Sequence, residues 1–126
     1  MSAKVLIVDD EKEFVNILSK RIKRRNIDVT KAFSGVDAIQ ALRGQEFDVA
    51  VLDLKMEDMD GIEVLRMFKI MDPQLAVIML TGHGSTEAAE QGIKLGAFDY
   101  LTKPCELEEL LEKIIEAYAH RRQDDR

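Results

Sequence analysis

Asp53 closes an apolar run, Val49-Ala50-Val51-Leu52, and a polar, acidic loop follows it. Asp9 and Asp10 close a second such run, Val5-Leu6-Ile7-Val8. Thr81 and Lys103 follow two more. If these runs are neighbouring parallel strands, three carboxylates, a hydroxyl and an ammonium meet at one edge of one sheet. Open sheets of that kind bind ligands beyond the carboxyl ends of their strands, where the strand order switches. Carboxylate oxygens suit a hard divalent cation, and an ammonium acts as a compact point charge for a phosphoryl oxygen. The set therefore points to a divalent metal and a phosphoryl group.

The elements that must position these groups are legible in the hydrophobic pattern. Five short runs read as strands: Lys4–Asp9, Asp28–Ala32, Val49–Asp53, Ala76–Leu80 and Phe98–Leu101. Several are continuous rather than alternating, as in strands buried on both faces. The segments between them have helical spacing. Phe14, Ile17, Leu18 and Ile22 mark the first helix, Val36, Ile39 and Leu42 the second, and Ile62, Leu65 and Phe68 the third. The fourth, Thr86–Leu95, is weaker, and Leu107, Leu110, Leu111, Ile114 and Tyr118 mark the last. Ser34-x-x-Asp37 has the form of a capping box. Gly44 and Gly96 fall where helices should stop, and Pro73 prevents continuation of the third. Strict alternation of strand and helix implies an α/β domain with a parallel sheet and helices on both faces. Residues 1–122 form that domain in this reading. The polar run Arg121–Arg126 looks unstructured, with 123–126 as a tail.

Composition narrows the possibilities. The chain has 126 residues, enough for one ordinary domain. Hydrophobic residues make up 46%, so a full core is expected. The net charge of −6 argues against direct nucleic-acid or anionic-membrane binding by the domain as a whole. No apolar run approaches the roughly 18 residues of a membrane span, and the amino terminus lacks the pattern of a secretion signal. Cys105 is the only cysteine, which leaves no internal disulfide or cysteine metal cluster. A cytoplasmic location fits these features. The basic cluster Lys20-Arg21-Ile22-Lys23-Arg24-Arg25 lies at a helix end, where it complements the helix dipole as solvated charge.

Asp9-Asp10, Asp53, Thr81, Tyr100 and Lys103-Pro104, in this order and each at a predicted strand end, resemble the receiver domain of two-component response regulators. Val51-Leu52-Asp53-Leu54-Lys55-Met56 and Gly96-Ala97-Phe98-Asp99-Tyr100-Leu101-Thr102-Lys103-Pro104 carry the closest likeness. It covers about residues 4–120. Thr81-Gly82-His83-Gly84 further resembles receivers of nitrogen-regulation-type activators.

The resemblance implies a doubly wound, flavodoxin-like (CheY-like) fold with strand order 2-1-3-4-5 and five helices. It implies that Asp53 takes a phosphoryl group from a phosphohistidine on a sensor histidine kinase or a phosphotransfer protein. It implies Mg2+ held by Asp10, Asp53 and the Lys55 backbone carbonyl, with Asp9 acting mainly through water. Lys103 would bind a phosphoryl oxygen, and the Lys103–Pro104 bond would be cis. Thr81 and Tyr100 would form the switch. The face of the fourth helix, fifth strand and fifth helix would serve an effector domain or a homodimer partner.

Such a domain is a switch that helps catalyse its own phosphorylation and hydrolysis, not a turnover enzyme. A dehalogenase-type phosphatase would need an aspartate two residues after Asp53, where Lys55 stands. A nucleotide or flavin module lacks its glycine-rich loop here. A pseudo-receiver that only binds partners would not need the intact set. The chain departs from the common pattern at Glu57, where many receivers have proline, and carries further acids at Asp58 and Asp60, expected to alter metal affinity or loop rigidity. Lys55 and His83 flank the phosphoryl position and would tune its lifetime. Gly92 serves either a movable Gly82–Gly96 segment or close packing.

Overall fold

The computed structural model describes residues 3–82 and 86–124. Five strands and five helices alternate: β1 Lys4–Val8, α1 Lys12–Lys23, β2 Asp28–Ala32, α2 Gly35–Gly44, β3 Val49–Asp53, α3 Gly61–Met71, β4 Ala76–Thr81, α4 Thr86–Lys94, β5 Asp99–Thr102 and α5 Leu107–Asp124. All strand pairs are parallel, in the order β2-β1-β3-β4-β5. The expected fold is therefore present. Because β1 pairs with both β2 and β3, the strand order switches there, and β1 and β3 end side by side.

The continuous apolar runs have the burial they predict. Residues Val5–Val8, β3 and β4 are buried throughout, whereas the edge strands β2 and β5 are partly exposed. Alternate strand residues feed two cores. Val5, Ile7, Val51, Ile78 and Leu80 pack with Leu18 and Ile22 of α1 and Leu111 and Ile114 of α5. Leu6, Val8, Leu52, Val77 and Met79 pack with Ile39 and Leu42 of α2 and Leu65 and Phe68 of α3. Each such side chain contributes about 1.5–3 kcal/mol by leaving water.

Helix ends follow local chemistry. Ser34 Oγ accepts the Asp37 N–H at 3.0 Å, closing the start of α2. Asp60 Oδ1 accepts the Ile62 N–H at 3.0 Å and caps α3. Beyond α4, Gly96 takes φ 109°, the left-handed backbone that glycine adopts without steric cost. Among the described residues no helix is long and apolar enough to cross a membrane.

Several expectations need correction. β1 stops at Val8, β4 runs on to Thr81, and β5 begins at Asp99 and ends at Thr102. Ile17, one of the apolar residues that mark the first helix, is 51% exposed. The buried stripe of α1 is Val15, Leu18, Ser19 and Ile22, and Ile17 lines a groove with Phe14, Cys105 and Leu107 instead. Val36 is likewise exposed, because α2 turns Gly35, Ala38, Ile39 and Leu42 inward.

The largest difference is at the carboxyl end. Arg121–Asp124, expected to be unstructured, continue α5, and Arg121 is buried. Its guanidinium donates to the Phe47 carbonyl, to Asp48 at 3.1 Å and to Asp72 at 3.5 Å. Paired this way, a buried arginine fastens the helix to the loops before β3 and β4.

Gly92 permits close packing, and residues 83–85 of the Gly82–Gly96 segment lie outside the described residues. A Cβ on Gly92 would lie 2.1 Å from Sδ of the fully buried Met79, so its absence lets α4 approach β4.

Candidate functional site

Asp9 follows β1 directly, Asp10 is next, and Asp53 is the last residue of β3. Their carboxylates offer oxygens that all lie within 4.8 Å of one another. Asp9 is fully buried, Asp53 nearly so, and Asp10 half-buried. The Lys103 ammonium, just beyond β5, reaches across to them. It donates to Asp9 Oδ2 at 2.6 Å and Glu11 Oε1 at 3.0 Å, and lies 3.7 Å from Asp53 Oδ2. Its Nζ also sits 4.9 Å from the centre of the Phe14 ring. The Lys103–Pro104 peptide bond is cis.

Backbone donors orient the acids. Asp9 Oδ1 accepts from the Glu11 N–H at 3.0 Å and Asp53 Oδ1 from the Lys55 N–H at 3.2 Å. Asp10 Oδ2 accepts from the Glu57 N–H at 3.1 Å. Burial pushes the Asp53 carboxyl up to about 6, and repulsion from Asp9 adds to it, against the pull of the Lys55 N–H and Lys103. Burial works against the Lys103 charge, but its bonds to Asp9 and Glu11 outweigh it and hold the ammonium above its usual value.

Thr81 ends β4 with its side chain buried, and its Oγ1 donates to the Leu101 carbonyl at 3.4 Å. The Thr81 carbonyl accepts the Lys103 N–H at 2.7 Å. Tyr100, on β5, is 39% exposed. The Lys55 side chain is also exposed. His83 lies outside the described residues.

The structure thus brings Asp9, Asp10, Asp53 and Lys103 together, places Thr81 at the adjacent strand end, and leaves Tyr100 at the surface. Glu11 and Phe14, both in contact with Lys103, were not anticipated as site residues. Glu11 adjoins the acid pair, and that was its signal, whereas Phe14 reads only as part of a helical stripe. Of the acids that set this chain apart, two are helix caps. Asp60 caps α3, and Asp58 accepts the Gly35 and Val36 N–H groups at 3.0 and 3.1 Å. The Gly35 bond, chiefly, holds the Asp58 carboxyl below its usual range.

Comparison with known proteins agrees with this geometry. A model of the response regulator receiver domain matches residues 5–115. The chain belongs to the response regulator receiver family. The receiver is 35% identical to the transcriptional regulatory protein ZraR of Salmonella typhimurium, over 94% of its own length and 27% of that protein. It is 37% identical to the DNA-binding transcriptional regulator NtrC of Proteus hauseri, over 94% of its length and 25% of that protein. It therefore spans about a quarter of these curated relatives, whose kind is consistent with the nitrogen-regulation type. Among solved structures, a receiver domain from Clostridium thermocellum superposes with a TM-score of 0.91 at 32% identity, covering 96% of this chain and 98% of that one. A CheY-like receiver from Methanospirillum hungatei gives 0.94 at 27% identity, covering 98% and 99%. The receiver is a signalling domain of the two-component type.

The donor set of this receiver fits a magnesium ion. Asp9, Asp10 and Asp53 are hard oxygen donors, which Mg2+ prefers while keeping several waters. Three carboxylates face one lysine and one another, and the Asp53 carboxyl is raised first by its burial and then by repulsion from Asp9. A divalent cation would relieve it.

Proposed function

We propose that this receiver accepts a phosphoryl group on Asp53 from the phosphohistidine of a sensor histidine kinase or a phosphotransfer protein. The convergence of Asp9, Asp10 and Asp53 within 4.8 Å, with Lys103 beside them at the strand-order switch, carries the reading. An Asp53 oxygen attacks phosphorus, the P–N bond breaks, and its electron pair stays on the imidazole, which takes up a proton. Asp53 is ionised above about pH 6, so it is a nucleophile at neutral pH. Anion attacks anion, so positive charge must be in place. Lys103 supplies one charge, already aimed at Asp53. Asp10, Asp53 and the Lys55 carbonyl, with Asp9 behind, would hold Mg2+, which would supply the remaining positive charge.

The phosphoryl group adds about two negative charges and new acceptor oxygens. Thr81 can give up its bond to the Leu101 carbonyl and donate to one of them. Tyr100, now outward, can turn into the space vacated, shifting the population between two states. Exposed apolar residues stand on each element of the adjoining face: Ile93 on α4, Tyr100 on β5 and Ile115 on α5. That favours this face as the one an effector domain or second receiver reads. Lys55 and His83 set the lifetime of the phosphoryl group. The domain turns over nothing beyond its own phosphorylation and hydrolysis, makes no direct contact with nucleic acid or membrane, and works in the cytoplasm.

Intact mass after incubation with acetyl phosphate tests the reading. Wild type should gain one phosphoryl group in Mg2+ and little without it, and Asp53→Asn should gain none. An adduct that persists in Asp53→Asn would overturn the assignment. If wild type takes no phosphoryl group from acetyl phosphate or from a phosphorylated kinase, the chain is a pseudo-receiver.

A further inference from the structure

The three acids are not held equally. Asp9 and Asp53 are fixed by burial, and Lys103 lies against both. Asp10 is half-buried, and its Oδ2 accepts the Glu57 N–H from the loop after β3. Where that N–H sits therefore decides how Asp10 is presented.

The next residue anchors this part of the loop. Asp58 grips the first turn of α2 with both oxygens, Oδ1 on the Gly35 N–H at 3.0 Å and Oδ2 on the Val36 N–H at 3.1 Å. Those N–H groups have no partner within the helix, and the helix dipole adds to their attraction for a carboxylate. The turn is a firm anchor, because α2 buries Ala38, Ile39 and Leu42 against the sheet. Met59 packs at the same place: a Cβ on Gly35 would stand 2.9 Å from its Sδ. Neighbouring residues of one loop thus bind Asp10 on one side and α2 on the other.

We propose that Asp58 is a positioning residue for the metal site, acting through the Glu57 backbone N–H on the carboxylate of Asp10. The inference rests on the reading that these acids hold Mg2+. Magnesium demands near-ideal octahedral geometry, so loosening one ligand weakens binding even when no ligand is removed.

Two variants separate positioning from charge. Asp58→Ala and Asp58→Asn remove the same charge, but asparagine keeps an acceptor oxygen for the helix N-terminus. Titration calorimetry of the metal-free protein with Mg2+ should show affinity about fivefold weaker in Asp58→Ala, the worth of roughly one net hydrogen bond. Asp58→Asn should stay within about twofold of wild type. Without metal, exchange of the Glu57 amide followed by NMR should quicken in Asp58→Ala and not in Asp58→Asn. A lowered melting temperature in Asp58→Ala with unchanged Mg2+ affinity and Glu57 exchange would make Asp58 a helix cap and nothing more. Equal weakening in both variants would trace the effect to charge. Either result overturns the proposal. Should Asp58→Ala fail to fold, Glu57→Pro removes the donor itself and must weaken binding; unchanged affinity there overturns it too. If wild type binds no Mg2+, the metal reading falls, and this inference with it.

Discussion

In metal-free buffer at pH 7.5, Asp53→Asn should be more stable to urea than wild type by about 2–3 kcal/mol, although on the proposed function it should no longer accept a phosphoryl group. The Asp53 carboxyl is raised from 3.8 to about 6 in the fold, first by burial and then by Asp9. Each unit of such a shift is worth about 1.4 kcal/mol. A carboxyl raised on folding binds its proton more tightly in the native state, so the native state loses ground as pH rises through the interval from about 4 to about 6. Above that interval the penalty is complete, and below it both states are protonated and it vanishes. The advantage of asparagine should follow the same course: full above about pH 6 and absent below about pH 4. Magnesium should narrow the difference. At roughly 100 times its dissociation constant it stabilises wild type by about 2.7 kcal/mol and the variant, lacking a ligand, by less. Urea titrations at several pH values, with and without Mg2+, check both statements. Equal stability of the two proteins at pH 7.5 without metal would mean that Asp53 is not strained in the apoprotein.

Gly61→Ala should cost about 3 kcal/mol, at the upper end of what an overpacked site loses. Its Cβ would fall 2.4 Å from Leu54 Cα and 2.7 Å from the Leu54 carbonyl oxygen. These are backbone atoms and cannot swing aside as the end of a side chain can. The Gly61 N–H also donates to that carbonyl at 3.1 Å, and Lys55 bridges Asp60. The start of α3 is thereby laid against the residues that follow Asp53. Relief of the clash must push Leu54 and Lys55, so Mg2+ affinity should fall together with stability. Urea unfolding and Mg2+ titration of the same variant measure the two effects. A loss below about 1 kcal/mol, with unchanged Mg2+ binding, would show that the loop yields more easily than its backbone contact implies.

Much of the molecule was legible because its signals are local. A strand buried on both faces must be apolar throughout, so Val49–Leu52 announces β3 without reference to any neighbour. Ser34 and Gly96 act within a few residues of themselves, at the two ends of their helices. Acids at the ends of apolar runs are conspicuous, and parallel alternation carries such ends to one edge. Asp9, Asp10, Asp53 and Lys103 are therefore gathered by the sequence pattern alone.

What only the tertiary structure decided depends on partners far along the chain. Arg121 reads as part of a polar tail, and its place is set by Phe47 and Asp48, 74 and 73 residues away. Asp58 reads as one more acid beside a metal site, and α2, 23 residues upstream, turns it into an anchor. Gly61 belongs to an Asp-Gly pair that signals no more than a turn, until α3 is laid against Leu54. Ile17 belongs to an apolar stripe, yet the rotation of α1 against the sheet turns it outward. Sequence by itself determined which residues form elements and which acids end them, because backbone hydrogen bonding and side-chain periodicity act over a few residues. Helix rotation, close backbone approach and the choice of ion partner arise only when all the elements pack at once.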